Sequence, residues 1–270
     1  MPTTVTFLLQ LLQGQGLLQP GIGESTLTHD EELRWHQQMR FLSHFVPDAE
    51  RSQSVLATAY VGVAGSGGLR DAVLAALESM GVGNIAQLPD PATWGTKDRL
   101  PPIDRDLIVA CGESPAHAFF DDVNEACLTS GVRWLRVVIS GTSAQLGPTV
   151  VPYQTACYTC LELRRRTHEP EQDGYLSYRA QAGDRAASSG EGSLEPLRTA
   201  LAGQTALEVM RLLIGFAPAA TIGRFQEFSA VSPIAISHDI LRVPRCESCG
   251  RRRTFAEAWD RSVLPTYVEP

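Results

Sequence analysis

Leu56-Ala-Thr-Ala-Tyr-Val-Gly-Val-Ala64, then Gly65-Ser-Gly-Gly-Leu-Arg70, then apolar residues at helical spacing as far as Met80: this stretch decides the fold. A short apolar run, a glycine turn and a 3.6-residue period spell strand, turn, helix. Downstream the alternation repeats. Asn84 to Leu88 predicts a second strand, Asp106 to Cys111 a buried third, Pro115 to Ser130 a helix and Trp134 to Ile139 another strand, with Gly141 to Pro152 extended after it. Strands alternating with helices predict an α/β fold with a mostly parallel, doubly wound sheet of the Rossmann type. Leu194 to Ile214 returns to helix, stopped by Gly215, and Gly223 to Ala230 and Ala235 to Arg242 read as short strands. Residues 164 to 193 carry no apolar period and are expected to form a long loop.

Upstream, Asp30 to Phe45 has helical spacing, and so has Val5 to Leu18, with Phe7, Leu8, Leu11, Leu12, Leu17 and Leu18 on one face. Pro47 to Ser54 is expected to be a linker. The chain therefore divides into a helical N-terminal arm (1–50), an α/β domain (51–250) and a C-terminal tail (251–270). No internal repeat is visible.

Composition narrows the function classes. With 43% hydrophobic and 20% charged residues the balance is globular, and no apolar run reaches the length of a membrane span. Val5 to Leu18 is broken by glutamines and glycines and lacks the basic flank and cleavage site of a secretory signal, so a cytoplasmic location is expected. A net charge of −7 argues against a general affinity for nucleic acid. Two basic clusters, Arg164-Arg-Arg166 and Arg251-Arg-Arg253, follow the two cysteine pairs. They read as solvated surface or, as the second choice, a docking patch for an acidic peptide.

Those cysteine pairs are Cys157-Tyr-Thr-Cys160 and Cys246-Glu-Ser-Cys249. A two-residue knuckle points both sulfurs at one tetrahedral centre, and two knuckles close a four-thiolate shell around zinc with no open coordination position. The expectation is a structural zinc ion held by Cys157, Cys160, Cys246 and Cys249. A redox C-x-x-C occurs once rather than twice, and disulfides fit a cytoplasmic protein poorly. Cys111 and Cys127 fall in a core strand and a core helix and are expected to act as small apolar side chains. The six histidines form no ligand or triad spacing, and surface or helical positions are expected for most.

Gly65-Ser-Gly-Gly68 stands where a phosphate loop should, between strand and helix. Arg70 occupies the third small position of that pattern. Two readings remain: a tight structural turn, which is favoured, or a nucleotide site using Gly65, Gly67 and Gly68. Asp90, where a ribose-binding acid could sit, is bracketed by Pro89 and Pro91 and reads as a loop acid.

Val61-Gly-Val-Ala-Gly-Ser-Gly-Gly-Leu69, Gly81-Val-Gly-Asn-Ile85, Asp106-Leu-Ile-Val-Ala110, Gly131-Val-Arg-Trp134, Gly141 and the two cysteine knuckles come in an order that resembles the ThiF-like superfamily of ubiquitin-activating-type enzymes. The resemblance covers roughly residues 55 to 250. Ser140 to Pro152 and the run from His238 into Cys246 look most like one branch, the ThiF-like partner proteins of azoline-forming peptide maturation. That resemblance implies a zinc-containing subunit, without catalysis of its own, that docks the leader of a ribosomal precursor peptide or a YcaO-type cyclodehydratase and stimulates azoline formation. It also implies that chains of this fold commonly pair as homodimers. Active adenylating members carry an acidic pair with Asn after the third strand and an Asn-Leu-Asn-Arg-Gln type run after the second. Here those places read Cys111-Gly-Glu-Ser114 and Asp90-Pro-Ala-Thr-Trp-Gly-Thr96, so ATP is not expected to bind. The N-terminal arm resembles only the last helix of the branch's winged-helix peptide-binding module. The alternatives are an ATP-dependent peptide-carboxylate adenylating enzyme, using the glycine turn with Arg70 or Lys97 as its cation, and, with least support, a dinucleotide-dependent oxidoreductase.

Overall fold

The computed structural model describes residues 27–89, 106–113, 117–168, 192–232 and 234–250, with Leu8 and Gly174 as isolated positions. The expectations for the Val5 to Leu18 helix, Asp90, Lys97, most of the 164–193 loop, Arg251 to Arg253 and the tail lie outside them.

In chain order the elements are α1 (His29–Leu42), α2 (Ala49–Thr58), β1 (Tyr60–Gly65), α3 (Gly68–Ser79), β2 (Asn84–Gln87), β3 (Leu107–Gly112), α4 (His117–Ser130), β4 (Trp134–Ser140), β5 (Ser143–Val150), α5 (Tyr158–His168), α6 (Glu195–Ile214), β6 (Arg224–Ser229) and β7 (Ile236–Asp239). They build one seven-stranded sheet in the order β2-β1-β3-β4-β5-β6-β7. The first three pairings are parallel, as the alternation of strands and helices predicts. The last three are antiparallel, so the sheet is mixed rather than mostly parallel. The reason is local. Only Gly141 and Thr142 separate β4 from β5, Gly141 takes φ 55°, and so short a link can only reverse the strand.

β3 is buried along its whole length, as a parallel strand covered on both faces must be. One face packs Val61, Val63, Leu107, Val109 and Leu135 against α3 and α6, with Leu42 of α1 and Leu56 of α2 sealing its edge. The other packs Ile108, Trp134 and Val138 against α4, α5 and the four cysteines of the two knuckles.

α2 replaces most of the expected linker and takes over the start of the expected first strand. Its sequence, Ala-Glu-Arg-Ser-Gln-Ser, looks solvated, yet Glu50, Gln53 and Leu56 face inward. Asp48 caps it by accepting from the Arg51 N–H at 2.8 Å. Gln53 accepts from Gln38 of α1 at 2.7 Å and donates to the Met80 carbonyl at 3.3 Å, so the polar face is satisfied as it is buried.

Thr28 starts α1 with a capping box: its hydroxyl accepts from the Glu31 N–H, and the Glu31 carboxylate accepts from the Thr28 N–H at 2.8 Å. That second bond holds the Glu31 carboxyl below its ordinary value. The contribution is present above the unfolded value and is lost as pH falls through the lowered one. Thr28→Ala is expected to cost about 0.5–2 kcal/mol, read as a lower urea midpoint with unchanged slope.

Candidate functional site

Cys157 lies just before α5 and Cys160 in its first turn, while Cys246 and Cys249 lie in a turn beyond β7. The fold brings all four together, buried, with every ligand atom within 4.8 Å of every other. Sulfur–sulfur distances are 3.8 Å (157 to 160), 3.7 Å (157 to 246) and 3.6 Å (160 to 249). A tetrahedron of sulfurs each about 2.3 Å from a central zinc has edges of about 3.8 Å. A disulfide would need about 2.05 Å, and all four cysteines are unbonded. The donor set therefore fits a four-thiolate metal shell, the only such group of His, Cys, Asp and Glu among the described residues.

Each knuckle is built by its own backbone. The Leu161 N–H donates to the Cys157 carbonyl at 3.2 Å, and the Gly250 N–H donates to that of Cys246 at 2.7 Å. Thr159 and Ser248, the inner residues of the two knuckles, share a hydroxyl hydrogen bond at 2.7 Å. Arg242 clamps the second knuckle to the body, donating to the Tyr153 and Cys249 carbonyls. The sulfurs share protons closely: bonds with Cys160, then Cys249, push the Cys157 thiol up, while bonds from Cys157 and Cys160 pull that of Cys249 down.

The glycine turn holds a different arrangement. Gly65 (φ 115°) ends β1 against the Cys111 carbonyl, and Gly67 (φ 89°) precedes α3. The first N–H groups of α3 point out of the turn, as at any helix start. One of them is already engaged: Leu69 N–H donates to Oε1 of Glu113 at 2.6 Å. A Cβ on Gly67 would lie 2.7 Å from Oε2 of the same carboxylate. Arg198, near the start of α6, sits on the far side, its Nε 3.3 Å from Glu113 Oε1. Arg198 also pairs with Glu195 and donates to the Ser193 hydroxyl at 2.9 Å. The mouth of the turn is thus lined by two acids and one arginine. Arg70, the expected cation, is turned aside onto Asp71 at 2.7 Å and the Gly65 carbonyl at 3.4 Å. Sequence reasoning missed Arg198, which lies far in sequence from Glu113 and looks like any exposed helical arginine. Glu113 was visible, but only as a departure from the family pattern.

The other candidates resolve into structure. Cys111 and Cys127 are buried, and burial pushes both thiols far above their ordinary range, so neither is a nucleophile. Arg164 and Arg165 are occupied internally, Arg164 on the Leu241 carbonyl at 2.6 Å and Arg165 on Gln145 at 2.6 Å and over the Phe225 ring. His117, at the start of α4, is buried, with Nδ1 3.0 Å from the Tyr158 hydroxyl and 3.4 Å from Glu162. A cavity of about 590 Å³ between α4, α5 and the second knuckle is lined by Asp121, Glu125, Glu162 and Glu247 against Arg166, a lining that repels polyphosphates.

A three-layer α/β body with a glycine turn after β1 and four clustered cysteines behind β4 defines the class of Rossmann-type folds. Within it, the ThiF family matches residues 97–249, more than half of the sequence, and the chain belongs to that family. No curated protein sequence matches it. Among solved structures, E. coli MccB with MccA-N7isoASN is 16% identical, with a TM-score of 0.67, over 93% of this chain and 83% of that one. A heterocyclase in complex with substrate and cofactor is 19% identical, with a TM-score of 0.66, over 93% of this chain but 31% of its own. The heterocyclase TruD is 18% identical, with a TM-score of 0.65, over 91% of this chain and 34% of its own. This chain therefore spans about a third of those heterocyclases, and at such identities the likeness is one of fold. MccB has also been solved with ATP, so the neighbours lend no support to the expectation that ATP does not bind. No helix among the described residues is long and apolar enough to cross a membrane.

Proposed function

We propose that this chain is a non-adenylating ThiF-family subunit in the maturation of ribosomally made, azoline-containing peptides. In this role it docks a precursor leader peptide, a YcaO-type cyclodehydratase or both, and stimulates the partner's ring-forming step. The observation that carries the non-adenylating part is the Glu113 carboxylate bonded to the Leu69 N–H at the glycine turn. Adenylation builds negative charge on a leaving pyrophosphate and needs donors and cations aimed at it. Here the first donor is taken, the nearest arginine is paired with acids, and Arg70 points elsewhere. The family membership and the heterocyclase neighbours support the pathway, and the acidic cavity supports a peptide rather than a nucleotide as the docked species.

In this reading Cys157, Cys160, Cys246 and Cys249 hold a structural zinc ion, which cross-links the start of α5 to the end of the domain. Zinc supplies no chemistry beyond that link, since four thiolates leave no open position.

The deciding measurement is ATP–pyrophosphate exchange with purified protein and candidate precursor peptides. No exchange above background is expected, together with faster heterocycle formation when the chain is added to its YcaO partner and peptide. Robust exchange by the chain alone would establish the adenylating alternative, which the MccB structure with ATP keeps in view.

A further inference from the structure

We infer that the glycine turn is an intact anion site that the protein fills with its own carboxylate, so that Glu113 stands where a phosphate group would otherwise be bound. The inference rests on the non-adenylating reading and specifies what has become of the site.

Three independent features of an anion site survive. The start of α3, a twelve-residue helix, presents N–H groups and the positive end of its dipole. Gly67 and Gly68 leave room for an anion to approach the backbone, because a Cβ on Gly67 would meet Glu113 and one on Gly68 would lie 3.0 Å from the Arg198 guanidinium. Arg198 supplies a fixed positive charge, its side chain only 18% exposed. An anion is also present: the Glu113 carboxylate accepts from the Leu69 N–H at 2.6 Å and forms an ion pair with Arg198, whose buried Nε lies 3.3 Å away without a hydrogen-bond partner of its own. A charge-assisted bond such as that to Leu69 is about twice as strong as a neutral one.

Glu113 immediately follows the last residue of β3, and Arg198 comes from the first turn of α6. The carboxylate therefore joins the end of a central strand, the start of α3 and the start of α6. A loop that carries its anion permanently needs none from solution, and the seating of α6 beside the turn becomes independent of nucleotide. Removing the carboxylate should leave donors, space and an Arg198 relieved of one of its two acid partners, with Glu195 the other. The ligand class for the opened site is a small phosphate-type dianion or diphosphate.

The test is a calorimetric titration of inorganic pyrophosphate, at low salt and without added metal, into the full chain as wild type, Glu113→Ala and the double variant Glu113→Ala/Arg198→Ala. Wild type is expected to bind at least about tenfold more weakly than Glu113→Ala, the double variant should lose the gain, and the gained affinity should fall as salt rises. Loss of fold cannot create such binding. If Glu113→Ala does not fold, Glu113→Gln, which keeps the volume but not the charge, is expected to show a smaller gain in the same direction. A folded Glu113 variant blind to pyrophosphate, or a wild type that binds it equally well, overturns the inference. Failure of the non-adenylating reading is distinguished by ATP–pyrophosphate exchange in the wild-type protein, whatever the variants bind.

Discussion

Cys246→Ser is expected to remove stoichiometric zinc from the protein and with it the cooperative unfolding of the whole chain. The two knuckles sit 85 residues apart in sequence, and few other contacts fasten the second one: the Thr159–Ser248 bond, the Arg242 clamp, and Arg164 on the carbonyls of Leu241 and Arg242. Each such bond contributes about 1 kcal/mol net. A structural four-thiolate zinc site contributes about 10–16 kcal/mol of binding free energy in small domains, comparable with the entire stability of a typical fold. Losing one thiolate also leaves three cysteines buried beside Trp134, Phe120 and Tyr158, too few to close a tetrahedral shell. Elemental analysis and urea unfolding followed by circular dichroism provide the check, and wild type treated with a strong chelator should behave like the variant. Acidification should release the metal as the thiolates take up protons. Cys127→Ala is the control: it removes a buried sulfur of the same cluster, should cost about 1 kcal/mol, and should leave the metal content unchanged. Full metal-free stability would sink the proposed knot.

The parallel half of the sheet was legible because its signal is local: short apolar runs and helical periods alternate from Leu56 to Ser140, and apart from the start of the first strand, which α2 takes over, the structure places strands and helices within about two residues of those runs. The two knuckles were legible because a C-x-x-C turn carries its geometry in its spacing, and their convergence followed from chemistry rather than from any contact. What the sequence hid is of another kind. α2 buries Glu50 and Gln53, and Gln53 looks solvated until Gln38 and the Met80 carbonyl are brought to it by the fold. α5 runs through Arg164 to Arg166, a stretch that reads as loop because the buried side chains of this helix, Tyr158, Cys160, Leu161 and Glu162, all lie in its first half and the arginines carry no apolar period beyond them. The antiparallel half depends on a reversal at Gly141 that a strand-by-strand reading does not register. The pairing of Glu113 with Arg198 joins residues 85 positions apart, and no periodicity reports on it.

Gly65→Ala is expected to destabilise the protein by about 3 kcal/mol or more, and the size of that effect bears on what the glycine motif is for. Gly65 has φ 115°, where an L side chain is strained by about 1–3 kcal/mol. Its added Cβ would also overlap the carbonyl oxygen of Cys111, the residue it pairs with across the β1–β3 ladder. Neither strand can withdraw, since β3 is held on its other side by β4 and buried on both faces. Gly67→Ala meets the tip of the Glu113 side chain instead, and that carboxylate can swing away at the cost of its bonds to Leu69 and Arg198. Thermal unfolding should therefore show a large drop in midpoint for Gly65→Ala and a smaller one for Gly67→Ala, in protein that has never met a nucleotide. A motif kept only for phosphate binding would show no such difference, with both variants near wild-type stability. In this chain the first glycine is demanded by backbone packing, and the second, at φ 89°, lies against an internal carboxylate, so both glycines have structural reasons of their own whether or not a phosphate is ever bound.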